Sequence, residues 1–421
     1  MFVYTDMRKG SMEAEASVAH SEFREVAGTA GNIHVEVKMK IVSVEKFYIK
    51  PRWMLVKVTT DEGLAGWGEP TLEGRSTVVG EAIDVLADLI VGHDPMNIEL
   101  LYNMMYRGAF YRGGAVIYSA VSGIEQALWD IKGKKLGVPV WQLLGGKCRD
   151  RIRMYAHLLP FNDDPTEEDI RYWAGKRLEA GFTALKTSML TPPIRHIDTM
   201  STVKQIVRRM EILRDAVGEN IDFAIDFHGR ISPAMAPVLC RELERVYPMF
   251  IEEPVLPENV DAMVKISHMT TIPIASGERL FTTYGYRELI EKQAVSVVQP
   301  DVCHCGGILQ TFKIAAMAQN YYMSVAPHNP LGPVALAACL QIDACISNFT
   351  AQEHPTHEER LDLGMGLFKQ PFVIRDGYID VPEAPGLGFE IDEDYLKEIL
   401  YDGRWSNPVL FFDDDRSMGE W

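Results

Sequence analysis

The stretch Asp226-Phe227-His228-Gly229-Arg230 closes a short apolar run that is typical of a buried β-strand. Comparable endings recur downstream as Ile251-Glu252-Glu253-Pro254, Gly277-Glu278-Arg279 and Pro327-His328, with Asp301 between the last two. The intervals between the successive acidic or imidazole groups are 26, 26, 23 and 27 residues. One β/α unit of a (β/α)8 barrel takes roughly 30 residues, and such barrels do their chemistry at the C-terminal ends of the strands. The spacing therefore predicts a barrel with these groups around one mouth.

Eight strand-like runs alternate with helical runs over residues 148–355, which indicates parallel β/α architecture of the TIM-barrel type. The predicted strands are Arg153–Leu158, Ala184–Ser188, Asp222–Phe227, Met249–Glu252, Ile272–Ser276, Val295–Gln299, Met323–Ala326 and Phe349–Gln352.

A smaller α+β unit precedes the barrel over residues 39–147. Strands are predicted at Ile41–Ile49 and Trp53–Thr60, and a turn at Asp61-Glu62-Gly63 leads into a third at Ala65-Gly66-Trp67-Gly68. Helical periodicity then continues to Gly137. Residues 1–38 have no sustained period, so we expect a flexible N-terminal arm. Residues 356–421 are rich in glycine and proline, and we expect them to pack against the α+β unit rather than continue the barrel.

The composition is that of an ordinary globular protein of 421 residues, with 47% hydrophobic and 24% charged residues. The net charge of −17 argues against nucleic acid or an anionic membrane as a partner, although a divalent cation would still allow an anionic ligand. No apolar run of membrane-spanning length, no signal-peptide pattern and no disulfide framework is visible. We expect a cytoplasmic homo-oligomer that acts on a small molecule.

Asp226, Glu252 and Glu278 place three carboxylates at the ends of neighbouring strands. Carboxylates in close proximity repel one another unless they pair with basic residues, such as Arg230 and Arg279, or bind a cation. The position at strand ends favours the cation, and a ligand set made of oxygen alone favours Mg²⁺ or Mn²⁺ over Zn²⁺. We predict a Mg²⁺ site.

Two histidines lie near these acids. His328 follows the seventh strand beside Asp301, whose carboxylate can fix the imidazole tautomer and raise its basicity. His228 lies two residues past Asp226, across the mouth, so one imidazole can remove a proton while the other delivers one. Taken alone, either histidine would be interpreted as structural. Glu353 follows the eighth strand and is placed to hydrogen-bond a substrate carboxylate as it gains charge.

Cys303-His304-Cys305 has the composition of a metal motif. Its spacing is too tight for a paired-thiolate zinc site, and no second Cys/His pair follows at a useful distance. We interpret it as a loop after the sixth strand that leads through Gly306-Gly307 into a helix.

Together with Gln299-Pro300-Asp301, Gly306-Gly307 and Leu331-Gly332-Pro333, these motifs resemble the mandelate racemase subgroup of the enolase superfamily, and within it the D-galactonate dehydratases. The resemblance covers about residue 40 to the end. It includes Pro51-Arg52-Trp53, Gly66-Trp67-Gly68-Glu69-Pro70, Phe110-Tyr111-Arg112-Gly113-Gly114, Ala127-Leu128-Trp129-Asp130-Ile131-Lys132-Gly133 and the final Glu420-Trp421. It implies a modified (β/α)7β barrel, with the α+β unit as a capping domain that the C-terminal tail completes.

The resemblance also implies a role for each site residue. Asp226, Glu252 and Glu278 would bind Mg²⁺. His328 would take the proton beside the substrate carboxylate, with Asp301 raising its basicity, while His228 would donate a proton to the departing hydroxide and Glu353 would stabilise the enediolate. Arg52, Trp53 and Lys186 would contact the substrate. The implied reaction is the dehydration of an acid sugar to a 2-keto-3-deoxy acid, and D-galactonate is the first candidate substrate.

Two departures from the family pattern keep alternatives open. The second strand ends Leu185-Lys186-Thr187-Ser188, where racemases of the subgroup have a second basic Lys. Ser188 cannot take a carbon-bound proton, which disfavours an epimerase or racemase. Residues 189–200 do not follow the galactonate dehydratase pattern, so another aldonate or an aldarate is an alternative substrate. A further alternative is a binding or regulatory protein that kept the barrel but turns over poorly.

Overall fold

The computed structural model describes residues 39–160, 164–191, 199–357, 360–407, 409–412 and 415–419. The predicted arm at residues 1–38, the final Glu420-Trp421 and residues 192–198 of the divergent loop lie outside these ranges. Within the described ranges, every helix is too short or too polar to cross a membrane.

Over residues 39–147, which the structure describes throughout, a three-stranded antiparallel sheet and four helices form the capping domain. Strands β1 (Ile41–Ile49), β2 (Trp53–Thr60) and β3 (Ala65–Gly68) pair in that order, and α1 (Ser76–Ile90), α2 (Ile98–Arg107), α3 (Ala115–Leu136) and α4 (Val140–Leu143) follow. Helix α3 lies against β3 because the strand glycines leave room for it: a Cβ at Gly68 would lie 1.9 Å from the Gly123 carbonyl oxygen. Gly137 ends α3 with φ of 70°, a left-handed conformation that glycine adopts without steric cost.

Among the residues that the structure describes, eight parallel strands build the barrel. They are β4 (Arg151–His157), β5 (Ala184–Ser188), β6 (Asp222–Asp226), β7 (Ile251–Glu252), β8 (Ile274–Ser276), β9 (Val297–Val298), β10 (Ser324–Val325) and β11 (Gln352–His354). Their order is β10-β9-β8-β7-β6-β5-β4-β11, and a parallel bridge from Val325 to Phe349 connects the two ends of this order. The predicted TIM-barrel fold is confirmed.

In the described part of the barrel, seven helices alternate with these strands. They are α5 (Glu167–Glu179), α6 (Met200–Val217), α7 (Ala236–Leu243), α8 (Val260–Ser267), α9 (Thr282–Glu291), α10 (Ile308–Gln319) and α11 (Pro333–Cys345). Thr166 and Asp169 start α5 with a reciprocal capping box, which satisfies backbone N–H groups that the first turn leaves unpaired.

The barrel interior is filled by a ring of buried side chains, mostly alanines, with two large aromatic groups. Its members are Tyr155, Ala184, Ala224, Phe250, Ala275, Val297, Ala326 and Ala351. Tyr155 and Phe250 meet edge to face, with ring centroids 6.3 Å apart. This layer closes the barrel beneath the strand ends, so polar groups on those ends collect above it.

Two segments differ from the sequence-based prediction. The eighth strand is shifted: Phe349 lies outside it and forms a bridge to Val325 of β10, and the strand contains Glu353, which was expected to follow it. In the C-terminal segment, β12 (Tyr378–Asp380) pairs antiparallel with the first half of β4, so this segment does extend the barrel sheet. Strand β4 is long enough to pair with both β11 and β12, since β11 pairs with the second half of β4.

The rest of the C-terminal segment contacts the capping domain. Leu400 forms a bridge with Ile49, and Trp141 Nε1 donates to the Pro382 carbonyl oxygen at 2.8 Å. Helix α12 (Glu393–Glu398) begins with Glu393, which pairs with Lys57 of β2.

Candidate active site

The strand ends bring the predicted acids to one mouth. Asp226 and Glu252 are the last residues of β6 and β7 and are direct neighbours in register. Glu278 follows β8 by two residues, and Glu353 lies in β11. Asp301 and His328 lie beyond β9 and β10 and face each other as bridge partners.

Lys186 of β5 connects three of these carboxylates. Its Nζ lies 3.1 Å from Asp226 Oδ2, 2.8 Å from Glu252 Oε2 and 2.9 Å from Glu353 Oε1. Burial lowers the pKa of Lys186, but the acids around it outweigh burial and raise the pKa well above its ordinary value. Lys186 is therefore a fixed cation among the acids.

Glu252 is completely buried, and hydrogen bonds do not balance its charge. Neither oxygen accepts a well-aligned hydrogen bond from a described residue, although Lys186 lies within ion-pair distance. Asp226 Oδ2 also lacks such a bond, whereas Oδ1 accepts the His228 N–H at 2.8 Å. Burial and then Asp226 raise the pKa of Glu252 to about 8. Lys186 supplies one positive charge for three carboxylates, so buried oxygens in this condition call for a further cation.

His328 lies between two carboxylates. Its Nδ1 is 2.8 Å from Asp301 Oδ2, and its Nε2 is 2.8 Å from Glu278 Oε2. Burial lowers the pKa of His328, but Glu278 and Glu353 raise it well above its ordinary value. Asp301 is itself held by the N–H of Cys303 at 2.7 Å. Asp301 thus orients one ring nitrogen and leaves Nε2 directed at the other acids.

Glu252, Glu278 and His328 each offer one ligand atom, and these atoms lie within 4.8 Å of one another. Asp226 is not part of this group and instead contacts Lys186 and His228. The structure therefore gathers the predicted acids around one point, while the choice of Asp226, Glu252 and Glu278 as the ligand set stays a prediction.

His228 approaches the same acids from β6. Its Nε2 lies 3.1 Å from Asp226 Oδ2, and its backbone adopts φ of 50°. The carbonyl oxygen of His228 accepts a hydrogen bond from Arg279 at 3.0 Å. Burial lowers the pKa of His228 even though Asp226 and Glu278 act to raise it.

His157 belongs to the site but is absent from the sequence-based prediction. It ends β4, its Nε2 lies 2.6 Å from Glu353 Oε1, and its side chain is 29% exposed. Glu353 Oε2 accepts the N–H of Asn329 at 2.7 Å. Burial raises the pKa of Glu353, but Lys186 and His328 lower it well below its ordinary value. The signal was available, because His157 ends the first strand as Asp226 ends the third.

Arg52 and Trp53 contact the loop after β10. Arg52 donates to the Pro330 carbonyl oxygen at 3.1 Å and pairs with Glu73, and its guanidinium lies 5.0 Å from the ring centre of Trp405. Trp53 is 1% exposed, and a Cβ at Gly332 would lie 2.8 Å from its ring. Both side chains are therefore engaged by the protein itself, and substrate binding by Arg52, Trp53 or Lys186 stays a prediction.

The Cys303-His304-Cys305 segment forms a turn after β9. Both thiols are buried, and burial raises the pKa of each. His304 Nδ1 lies 2.9 Å from the hydroxyl of Ser119 in α3. The segment therefore packs the turn against the capping domain.

The sequence matches two family descriptions over most of its length. Residues 27–145 match the mandelate racemase / muconate lactonizing enzyme N-terminal domain, and residues 169–395 match the enolase C-terminal domain-like family. The chain therefore belongs to the mandelate racemase subgroup of the enolase superfamily, and it is an enzyme of that group.

Individual relatives agree with this assignment. The chain is 44% identical over 392 residues to D-galactonate dehydratase of Ralstonia pickettii (strain 12J), which covers 91% of this chain and 100% of the relative, and a protein of the same name from Ralstonia nicotianae gives the same values. Among solved structures, a mandelate racemase/muconate lactonizing enzyme from Sulfitobacter sp has a TM-score of 0.81 at 32% identity, with 88% and 99% of the two chains covered. A member of the enolase superfamily from Salmonella Typhimurium has a TM-score of 0.80 at 32% identity, with 86% and 98% covered.

Proposed function

We propose that this enzyme is a Mg²⁺-dependent acid-sugar dehydratase that converts an aldonate, with D-galactonate as the first candidate, to a 2-keto-3-deoxy acid. The observation that carries the proposal is the 2.8 Å contact between His328 and Asp301 beside a cluster of buried carboxylates. The 44% identity to D-galactonate dehydratases supports the choice of substrate class.

The acids fit a hard divalent cation. Asp226 and Glu252 have buried oxygens without aligned hydrogen-bond donors among the described residues, and Glu278 lies just beyond the end of the next strand. Oxygen ligands of this kind suit Mg²⁺. We assign Asp226, Glu252 and Glu278 as its ligands. A cation there would stabilise the negative charge that develops on the substrate carboxylate when the neighbouring proton leaves.

Side chains of the protein carry the proton transfers. His328, oriented through Nδ1 by Asp301, takes the C2 proton at Nε2. His228 gives a proton to the C3 hydroxyl as the carbon–oxygen bond breaks, so water leaves and a C2–C3 double bond forms. The enol then tautomerises to the 2-keto-3-deoxy acid.

Glu353 assists at the developing enediolate together with Lys186 and His157, which both contact its Oε1. Ser188 ends β5 next to Asp226 in register and offers no second base. This arrangement supports elimination over epimerisation.

A panel of aldonates and aldarates, assayed for 2-keto-3-deoxy products with Mg²⁺ present, tests the proposal. We expect D-galactonate to give the highest kcat/KM, and exhaustive chelation to abolish turnover until Mg²⁺ is restored. Sites that hydrogen-bond a hydroxyl can reject a wrong configuration by ~10⁴ or more. Strong turnover of another acid would contradict D-galactonate as the substrate but support the proposed dehydration. Turnover of no acid would contradict the dehydratase, and full activity after chelation would contradict the metal.

A further inference from the structure

Two buried glutamates of the capping domain contact the barrel loops that carry His328 and Asp301. Glu69 follows β3, and its two oxygens accept the backbone N–H groups of Gly332 at 2.8 Å and Ala335 at 2.9 Å. Each of these N–H groups lies at the start of α11, the helix after β10. Glu69 thus caps that helix and holds the end of the His328 loop.

Glu125 of α3 makes the equivalent contact one strand away. Its Oε2 accepts the N–H of Ile308 at 2.7 Å, and its Oε1 accepts the N–H of Leu309 at 3.0 Å. These groups start α10, the helix after β9, and the connecting turn begins at Asp301. The two carboxylates therefore hold the two neighbouring loops in the same way.

The glycines at these points are required by the contacts. A Cβ at Gly332 would lie 2.7 Å from each carboxylate oxygen of Glu69, and a Cβ at Gly307 would lie 2.1 Å from Glu125 Oε2. Without side chains at Gly332 and Gly307, the carboxylates reach the backbone directly.

Little chain separates each contact from the His328–Asp301 pair. Between His328 and Gly332, the backbone of Asn329 donates to Glu353 and that of Pro330 accepts from Arg52. On the other loop, Gln126 accepts the Glu69 N–H at 2.9 Å and donates to the Val302 carbonyl oxygen at 3.1 Å. A displacement at the start of either helix would therefore move His328 or Asp301, because few residues lie between.

We propose that Glu69 and Glu125 are positioning residues that fix the loops after β10 and β9, so that docking of the capping domain sets the geometry between His328 and Asp301. The inference rests on the proposed role of His328 as the base. Apolar side chains would fill these buried positions at lower cost, since burial raises the pKa of both carboxyl groups to about 7. The free-energy cost of burying these carboxylates is offset by the hydrogen bonds that they accept from backbone N–H groups.

Glu69→Gln and Glu125→Gln test the proposal, because an amide keeps the size of the side chain but turns an N–H donor toward a backbone donor. We expect kcat and the exchange of the C2 hydrogen with solvent deuterium to fall together, by up to about 100-fold, with KM nearly unchanged. Asp130→Asn is the matched control. Asp130 is a buried carboxylate of α3 that accepts the N–H groups of Trp67 and Leu387, away from both loops. This variant should lose stability but keep kcat.

Hydrogen–deuterium exchange of the backbone gives a readout that does not depend on activity. In Glu69→Gln, the amides of Gly332 and Ala335 should exchange faster than in the wild type. Gly332→Ala places a methyl group against the same Glu69 carboxylate from the barrel side. This variant replaces Glu69→Gln in the test if Glu69→Gln does not fold. Faster exchange at these amides with wild-type kcat, or an equal loss of kcat in Asp130→Asn, would overturn the proposal. A wild-type protein that dehydrates no acid would instead refute the proposed function.

Discussion

His328 and His228 face different acids, and we expect this difference to separate their roles. Asp301 contacts Nδ1 of His328 and leaves Nε2 directed toward Glu278, while His228 directs Nε2 at Asp226. A carboxylate behind an imidazole fixes its tautomer and supports the positive charge that follows proton uptake. We therefore expect His328 to act as the base and His228 as the acid.

Substitution of each histidine should separate the two steps of the reaction. We expect His328→Asn to lose both dehydration and exchange of the C2 hydrogen with deuterium, because the base is gone. His228→Asn should lose dehydration by roughly 10²–10⁴-fold while C2 exchange continues. Exchange can be followed by NMR of substrate in deuterium oxide, with His268→Asn, on the exposed end of α8, as the control. Exchange that survives in His328→Asn would reverse the assignment.

Gly277 allows the chain just beyond β8 to approach β9, next to the carboxylate of Glu278. Its φ is 152°, and a Cβ there would lie 2.7 Å from the Gln299 carbonyl oxygen. The next residue is Glu278, so this close approach sets where that carboxylate stands. Backbone atoms of a packed barrel cannot move aside as a flexible side chain can.

Gly277→Ala should therefore damage both stability and metal binding. We expect a loss of about 1–3 kcal/mol in the free energy of unfolding, from strain and from the contact with β9, together with weaker Mg²⁺ activation. Gly63→Ala is the control: its φ of 79° is also unfavourable for alanine, but among the described residues no atom beyond its chain neighbours lies within 4 Å of the added Cβ. Urea denaturation and Mg²⁺ titration of both variants compare them. An equal effect in the two variants would show that conformation alone, and not the approach of β9, matters.

Strand spacing predicted much of the barrel because each β/α unit repeats a local pattern. Ala184–Ser188 was predicted with its observed bounds, and most other strands were placed within a few residues. The shift of the eighth strand was not predictable, since Phe349 and Glu353 pair with different neighbours and only the closed barrel decides which. His157 was not predicted because its partner Glu353 lies 196 positions away in the sequence, although its position at a strand end follows the same rule.

Contacts between segments that are distant in the chain were not predictable from the sequence. Glu69 and Gly332 are 263 positions apart, and nothing local to either predicts that they meet. The same holds for β12, which joins β4 from the far end of the chain. Local patterns thus predicted the strands and the acids at their ends, whereas the contacts between the capping domain and the barrel loops form only when the domains are packed.

Buried carboxyl groups should give the metal-free protein a stability that falls as pH rises from 6.5 to 8.5. Burial raises the pKa of Glu69, Glu125 and Asp362 to about 7 in each case, from much lower ordinary values. In this window the folded state binds more protons than the unfolded state, so a rise in pH favours unfolding. Histidines whose pKa burial lowers, such as His354 and His357, act in the opposite direction but chiefly below pH 6.5.

Each glutamate should contribute about 1 kcal/mol to this decline, because part of its proton release falls inside the window. Urea denaturation at pH 6.5, 7.5 and 8.5 measures the decline directly. The double variant Glu69→Gln, Glu125→Gln removes two of the titrating groups, so its free energy of unfolding should depend less steeply on pH than that of the wild type. A wild-type stability that does not decline across the window would mean that these carboxylates are already ionised at pH 6.5, held so by the backbone N–H groups that they accept.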